Sequence, residues 1–363
     1  MSQSEKKNFI FYIIFLLFFL ILSNKFYTYE QTLLISQLDG YNYMGIANSL
    51  MDFDGDKIPY HHAQRFFIPF IIGLIGNLTE INNYTIFRIF VSFAAILIVF
   101  LHILLTFESK CNLKTGIMCF SIVFLNPYLF RYFISVPTMV NDIFFLLGLY
   151  IFCLGLFKKE IFIFLGVLIS IISRQTGLFV FLGAIFYFYK KKMFKSIFVI
   201  SIIFFGILMI ANFYAKNNSS AGFTYEHLWG IFNSIFINRE YVELIKWLML
   251  PFYSFLPIIL YLFTRKEIIP NNINKEKFIL IFIIISTIGI SLLAGPELAT
   301  RNIIRQTTII LPILVIYLMF FSRPKKKLKS FLNYELLMVL IFYISSLHPV
   351  YSKIEILKLV KLF

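Results

Sequence analysis

Long runs of Phe, Ile and Leu alternate with short polar breaks along the chain, and several runs approach the ~20 residues a helix needs to cross a bilayer. The first run, Asn8–Ser23, follows Lys6 and Lys7. The pattern then breaks over residues 24–85, apart from Phe66–Asn77, which is apolar but short for a crossing. Further runs predict spans at Ile86–Phe107, Thr115–Phe130, Asp142–Phe157, Ser196–Phe213, Lys246–Phe263, Phe278–Ala294, Ile303–Phe321 and Phe331–Leu347. The run Ile161–Tyr189 is too long for one ordinary span, and its flanks are both basic. Equal flanks require an even number of crossings, so it is split at Ser173-Arg174-Gln175-Thr176-Gly177 into a hairpin with Arg174 at its outer turn.

Charge bias sets the orientation. Cytoplasmic loops collect Lys and Arg, so Lys6 and Lys7 place residues 24–85 outside. If Phe66–Asn77 crossed the membrane, the basic clusters Lys158-Lys159, Lys190–Lys195, Arg265–Lys277 and Arg323–Lys329 would all fall outside. If it lies at the outer interface, or dips in and returns, every one of them falls inside. The second arrangement is the expected one. It gives an all-α, polytopic transmembrane bundle of about 11 spans over residues 1–363, with a cytoplasmic N-terminus and an external C-terminus. The first outer loop, 24–85, carries interfacial helices; residues 214–245 and Arg131–Asn141 form two later outer loops. The last residues, Ile354–Phe363, mix Lys with apolar side chains, a pattern that suits the membrane surface.

Composition sharpens this picture. The chain is 60% hydrophobic and 14% charged, where soluble domains are about a quarter charged. Its net charge of +15 lies in short clusters between apolar runs, which excludes nucleic acid as the expected partner. Cys111, Cys119 and Cys153 are scattered without metal spacing, so no disulfide framework is expected. The N-terminal run has no small-residue cleavage site after it and reads as a retained span. No internal repeat is visible.

Most ionisable residues other than lysine map to the outer side. Asp39 sits in Leu-Asp-Gly-Tyr, where a carboxylate is either a general base for an acceptor hydroxyl or a turn and helix cap. Asp52-Phe-Asp54-Gly-Asp56 resembles the start of a calcium loop but lacks the glycine and the closing acid, and reads as a solvated acidic turn. His61-His62 followed by Arg65 suits a phosphate oxygen, or else a plain interfacial position. Arg174, set between two apolar halves, needs either an anionic ligand or a carboxylate such as Asp142 or Glu297. Arg301 and Arg305 share one helical face, where they either snorkel to headgroups or join an anionic pocket.

These residues fall into a known arrangement. One span is followed by an outer loop with Asp39, Gly40 and Tyr43, then an interfacial Arg65-x-x-x-Pro69, an Asn126-Pro127 closing span 3, and an Asn141-Asp142 opening span 4. With the short hairpin turned at Arg174, the chain resembles the GT-C superfamily of polytopic glycosyltransferases, in particular bacterial members found with surface-polysaccharide genes. The resemblance implies a GT-C-like fold in a bacterial inner membrane and transfer of a sugar from a polyprenyl-phosphate donor to a glycan or lipid acceptor at the outer face. It gives Asp39 the role of catalytic base or metal contact, with Asp142 as the second catalytic candidate. It assigns the donor phosphate to Arg65, Arg174, Arg301 and Arg305, assisted by His61 and His62, and substrate contacts to Tyr43, Asn141 and Glu297. A divalent cation, Mg or Mn, is left open as a cofactor. The chain departs from the family in having no acidic pair beside Asp39 and no large C-terminal outer domain. Two rivals stay open: a polysaccharide polymerase, which needs cations more than a base, and a transporter or flippase, which would place Arg174 inside one broken helix at mid-bilayer.

Overall fold

The computed structural model describes residues 1–22, 39–50, 58–126, 129–219, 226–239, 241–263, 265–267, 274–296, 303–324 and 334–346. Helix α1 (Gln3–Leu22) starts on a reciprocal cap: Glu5 N donates to Ser2 Oγ at 3.2 Å and Ser2 N to Glu5 Oε2 at 2.7 Å. Short helices α2 (Asp39–Ser49) and α3 (Tyr60–Ala63) lead to α4 (Phe67–Thr79). The 13 residues of α4 span about 20 Å, less than a bilayer core of ~30 Å. Then come α5 (Asn83–Glu108), capped by the Asn82 side chain, and α6 (Leu113–Phe124), capped by Asn112.

The expected outer loop at Arg131–Asn141 is instead largely helical. It comprises α7 (Phe130–Ser135) and a 3-10 turn, Pro137–Met139, that runs into α8 (Val140–Phe157). Helices α9 (Ile161–Ser173) and α10 (Gly177–Lys190) divide where the hairpin was predicted, and Lys191 Nζ meets Glu160, so the two helices fold back on each other. Next, α11 (Phe194–Asn218) runs five residues past its predicted end. Much of the expected loop over 214–245 is likewise helical, with α12 (Glu226–Phe232), a π-helical turn at Asn233–Ile237 and the start of α13 (Tyr241–Phe263). Apolar side chains sit at helical spacing through these stretches, and packing carries them into helix where charge alone suggested a loop.

The remainder comprises α14 (Asn274–Leu293), α15 (Ile303–Thr308), α16 (Leu311–Phe321) and α17 (Tyr334–Ser346). The break between α15 and α16 has a local cause. Pro312 has no N–H to donate to the Thr308 carbonyl, and its ring suits the first turn of a new helix. Two three-residue strands, β1 (Arg265–Glu267) and β2 (Ser322–Pro324), pair antiparallel and are a small departure from an all-α chain.

Among the described residues five segments are long and apolar enough to cross a membrane: Asn83–Glu108, Pro137–Phe157, Phe194–Asn218, Lys275–Leu293 and Ile303–Phe321. Their outward faces are greasy. Ile89, Phe93, Ile96 and Phe100 make an exposed stripe on α5, and Phe198, Ile202, Phe205, Met209 and Phe213 make one on α11. Exposed apolar stripes of that size fit a lipid solvent. Helix α8 lies at the centre. It is the most buried of these segments and packs on α9 across Gly148, Gly155 and Gly166.

Candidate functional site

Several elements end at one place, and they end with polar residues. Asp39 opens α2 and Asp142 lies in the first turn of α8, where the helix dipole favours a carboxylate. Pro59 precedes α3, which carries His61 and His62, and Arg65 follows. At the end of α9 the backbone leaves the helix at Arg174 (φ −149°, ψ 147°), which aims that side chain at the start of α8. Arg305 comes from α15.

These side chains form one connected centre. Arg174 Nη1 donates to Asp142 Oδ1, and Arg305 Nη2 donates to Asp39 Oδ2. Arg305 also faces the other aspartate, with Nε 3.8 Å from Asp142 Oδ2. His62 Nε2 is 3.6 Å from Asp39 Oδ1, while its Nδ1 lies 3.0 Å from Asn42 Nδ2. The amide can only donate there, so Nδ1 is the lone-pair nitrogen and Nε2 carries its proton toward Asp39. Arg65 Nη1 donates to the Tyr43 hydroxyl at 3.2 Å, and Arg65 Nε donates to Gln175 Oε1 at 2.6 Å. Asn141 Nδ2 holds the Arg65 carbonyl at 3.0 Å. Helix α11 braces this segment from outside: Tyr214 stacks on Phe66 with centroids 3.9 Å apart, and Asn212 accepts from Gln64 Nε2 at 2.7 Å.

Three guanidiniums thus surround two carboxylates, leaving one positive charge in excess. The described partners of the Arg65 guanidinium are the neutral Tyr43 and Gln175, so its charge is the one not balanced by an ion pair among the described residues. Arg174 Nε, Arg305 Nε, Asp142 Oδ2 and Asn141 Oδ1 are buried without a hydrogen-bond partner. Native interiors rarely leave such groups unmet unless water or a ligand reaches them. Burial would raise the Asp39 carboxyl, but Arg305 and His62 outweigh it and hold it well below the ordinary carboxylate range. Burial lowers His62, the nearby Asp39 only partly restores it, and Arg65 and Arg305 lower it further. At neutral pH the centre therefore presents an ionised Asp39 beside a neutral imidazole. The Asp39 side chain is 25% exposed, against 3% for Asp142. Of the two aspartates, Asp39 is the one with a path to solvent, and Asp142 is an anchor for two arginines.

Most of the predicted site residues converge here. Asp39, Tyr43, His62, Arg65, Asn141, Asp142, Arg174 and Arg305 are joined as above. The His61 ring lies 4.1 Å from His62, centroid to centroid, and its carbonyl accepts from Gln175 Nε2 at 2.8 Å. Of the roles open to Arg174, the ion pair with Asp142 forms; Arg305 pairs with Asp39 and faces Asp142. Arg301 and Glu297 lie outside the described residues, as do Pro127, Asp52, Asp54 and Asp56. Asn42 and Gln175 were not anticipated. Their one signal was position, three residues after Asp39 and directly after Arg174. Comparison with known proteins returns no match: no family model, no curated protein and no solved structure.

A divalent cation does not fit the described donors. One Asp39 oxygen and one Asp142 oxygen each accept from a guanidinium, and the second oxygen of Asp142 faces Arg305. Among the described residues no three His, Cys, Asp or Glu side chains gather as a metal site. An anion is what this donor set fits, because arginine forks are suited to carboxylate and phosphate oxygens.

Proposed function

We propose that the protein is a membrane glycosyltransferase of the GT-C type, with about 11 spans, that transfers a sugar from a polyprenyl-phosphate donor to a glycan or lipid acceptor at the outer face of a bacterial inner membrane. The observation that carries this reading is the cation-rich centre at one end of a membrane helix bundle, with a single part-exposed, ionised carboxylate. A lipid-linked sugar stays at the membrane, so its transferase needs cations for the leaving phosphate and one base. Arg65 supplies the uncompensated charge, and Arg174 and Arg305 offer N–H groups still lacking an acceptor. Fixed donors of this kind stabilise charge as it develops on a leaving group. In the proposed step the acceptor oxygen attacks the anomeric carbon and its proton passes to Asp39. The bond from that carbon to the phosphate oxygen breaks, and the electron pair leaves with the phosphate, inverting the anomeric centre. His62, held by Asn42, orients the Asp39 carboxylate through its free oxygen.

A second reading is favoured by one feature: both aspartates are already held by arginine. A polymerase that joins lipid-diphosphate-linked units needs the cations more than the base. Transport has less support, because it called for Arg174 within a single broken helix and α9 and α10 fold back on each other instead.

The test is transfer of radiolabelled sugar from polyprenyl-phosphate donors into membrane lipid and glycan. We expect transfer in wild type and a loss on the order of 100-fold or more in Asp39→Asn, the scale of a missing general base. Transfer that survives Asp39→Asn but is abolished by Arg65→Gln moves the assignment to cation-led polymerisation. No transfer in wild-type membranes from the panel of donors counts against the transferase.

A further inference from the structure

A second polar feature lies at the other end of α2. Between the C-terminal halves of α2 and α4 and the start of α5 is an open cleft of about 750 Å³, within the ~300–1,000 Å³ of small-molecule sites. Its polar lining is unlike that of the arginine centre. It comprises four carboxamides (Asn48, Asn77, Asn82 and Asn83), one carboxylate (Glu80) and the Tyr84 ring, with no cation among the described residues.

The cleft is held open by specific packing. Asn83 Nδ2 donates to the Ala47 carbonyl at 3.1 Å and to Asn48 Oδ1 at 2.9 Å, which fixes the amide plane. Its Oδ1 is then buried without a hydrogen-bond partner. Gly76 makes this possible, since a Cβ there would lie 1.9 Å from that oxygen. Glu80 closes α4 in the left-handed region at φ 58°, where glycine is the easier residue. That backbone turn sets the carboxylate at the lip of the cleft.

We propose that this cleft binds an uncharged carbohydrate. A sugar hydroxyl both donates and accepts, and a carboxamide offers an N–H and a C=O from the same end of one side chain. Among the described residues Asn77 has both ends of its amide available and Asn48 and Asn82 keep their N–H2 groups, while Asn83 is spent on holding the cleft. Beside an aromatic ring these fit a polyol with one apolar face. Glu80, with no cation among the described lining residues, disfavours phosphate or another anion. Asp39 and Asn48 are nine positions apart on one helix, about 14 Å along its axis, so the cleft is distinct from the arginine centre. Binding in it requires no transfer chemistry; only the corollary that a seated chain extends along α2 to Asp39 rests on the transferase reading.

The experiment uses the full-length protein in detergent on an array of neutral and charged oligosaccharides, with three variants. Asn77 and Glu80 are exposed, so Asn77→Ala and Glu80→Gly, combined, alter the lining and leave the interior packing alone. Wild type is expected to retain neutral glycans, and the double variant to bind them at least about tenfold more weakly, the scale of one or two lost hydrogen bonds. Arg65→Gln, in the other centre, is expected to bind them as wild type does. Asn83→Leu, which removes the fixed amide, is expected to abolish retention while eluting as a monodisperse species. No retained neutral glycan, retention of charged glycans alone, or equal binding by the double variant overturns the proposal. Cleft-dependent binding without any transfer activity would leave this site standing and remove the transferase reading.

Discussion

Arg305 touches both aspartates, so the charge balance of the centre depends on one side chain from α15. The Arg174–Asp142 pair beside it is nearly inaccessible, at 7% and 3% exposure. Removing one partner strands the other charge in the interior, which costs about 3–5 kcal/mol, whereas replacing both with apolar residues can be neutral. Asp142→Leu, which strands Arg174, is therefore expected to lower unfolding stability by that amount, and Arg174→Met by less, because Arg305 still faces Asp142. The double variant should recover most of it, as a double-mutant cycle in denaturant would read. His62 makes a separate prediction. Its folded-state pKa is depressed below the ordinary value of about 6.5, so the unfolded chain binds its proton first as pH falls. The stability it contributes is present above about pH 6.5 and is lost as pH drops toward the folded-state value. The unfolding temperature should fall between about pH 7 and 5, and His62→Gln should flatten that slope. Asp39, depressed below the carboxylate range, contributes its own loss only at more acidic pH.

At the scale of elements, the site depends on how closely α8 and α9 approach. Added to Gly166, a Cβ would lie 2.4 Å from Phe152 N, and at Gly155 it would lie 2.5 Å from Ile163 N. Small residues at such contacts let membrane helices pack backbone to backbone. This contact, with the turn at Arg174, sets the guanidinium on Asp142. Gly166→Val is expected to pry the pair apart, lower stability by about 1–3 kcal/mol in the manner of an overpacked core, and abolish any activity that needs the centre. A thermal melt together with the transfer assay checks both effects. The break at Arg174 was legible in sequence because charge parity required it. The break before Pro312 follows from proline chemistry, yet the apolar run there reads as one span because hydropathy does not register a missing N–H.

For the whole molecule, the two ends of the bundle differ. Lys6 sits over the Phe107 ring at 5.1 Å, Glu160 meets Lys191, and Phe157 stacks on Phe320 at 3.8 Å, so basic residues gather where α8 ends. The aspartates and arginines lie where α8 begins, about 27 Å away along its 18 residues, close to the ~30 Å of a bilayer core. Lysine-rich ends face the cytoplasm under the charge rule. In a background lacking Cys111, Thr85→Cys is expected to react with an impermeant maleimide in intact cells, and Lys192→Cys only after permeabilisation. The reverse pattern would turn the candidate site inward.

Apolar run length and lysine position, both properties of the linear chain, determined the helical membrane class, the hairpin at Arg174 and the segments that hold the ionisable groups. Bilayer physics acts on composition and length, so these features need no tertiary information. Which charges meet was decided only by the folded chain. Asp39 and Arg305 are 266 residues apart in sequence, and the sequence alone left Arg174 open to an anion or a carboxylate. Packing of α8, α9 and α15 resolved it. The glycines let the helices close until Asp142 lay between two guanidiniums, while Asp39 kept its edge toward solvent. The asparagine cleft was invisible for the same reason: its carboxamides come from three helices and converge only because Gly76 leaves room for Asn83.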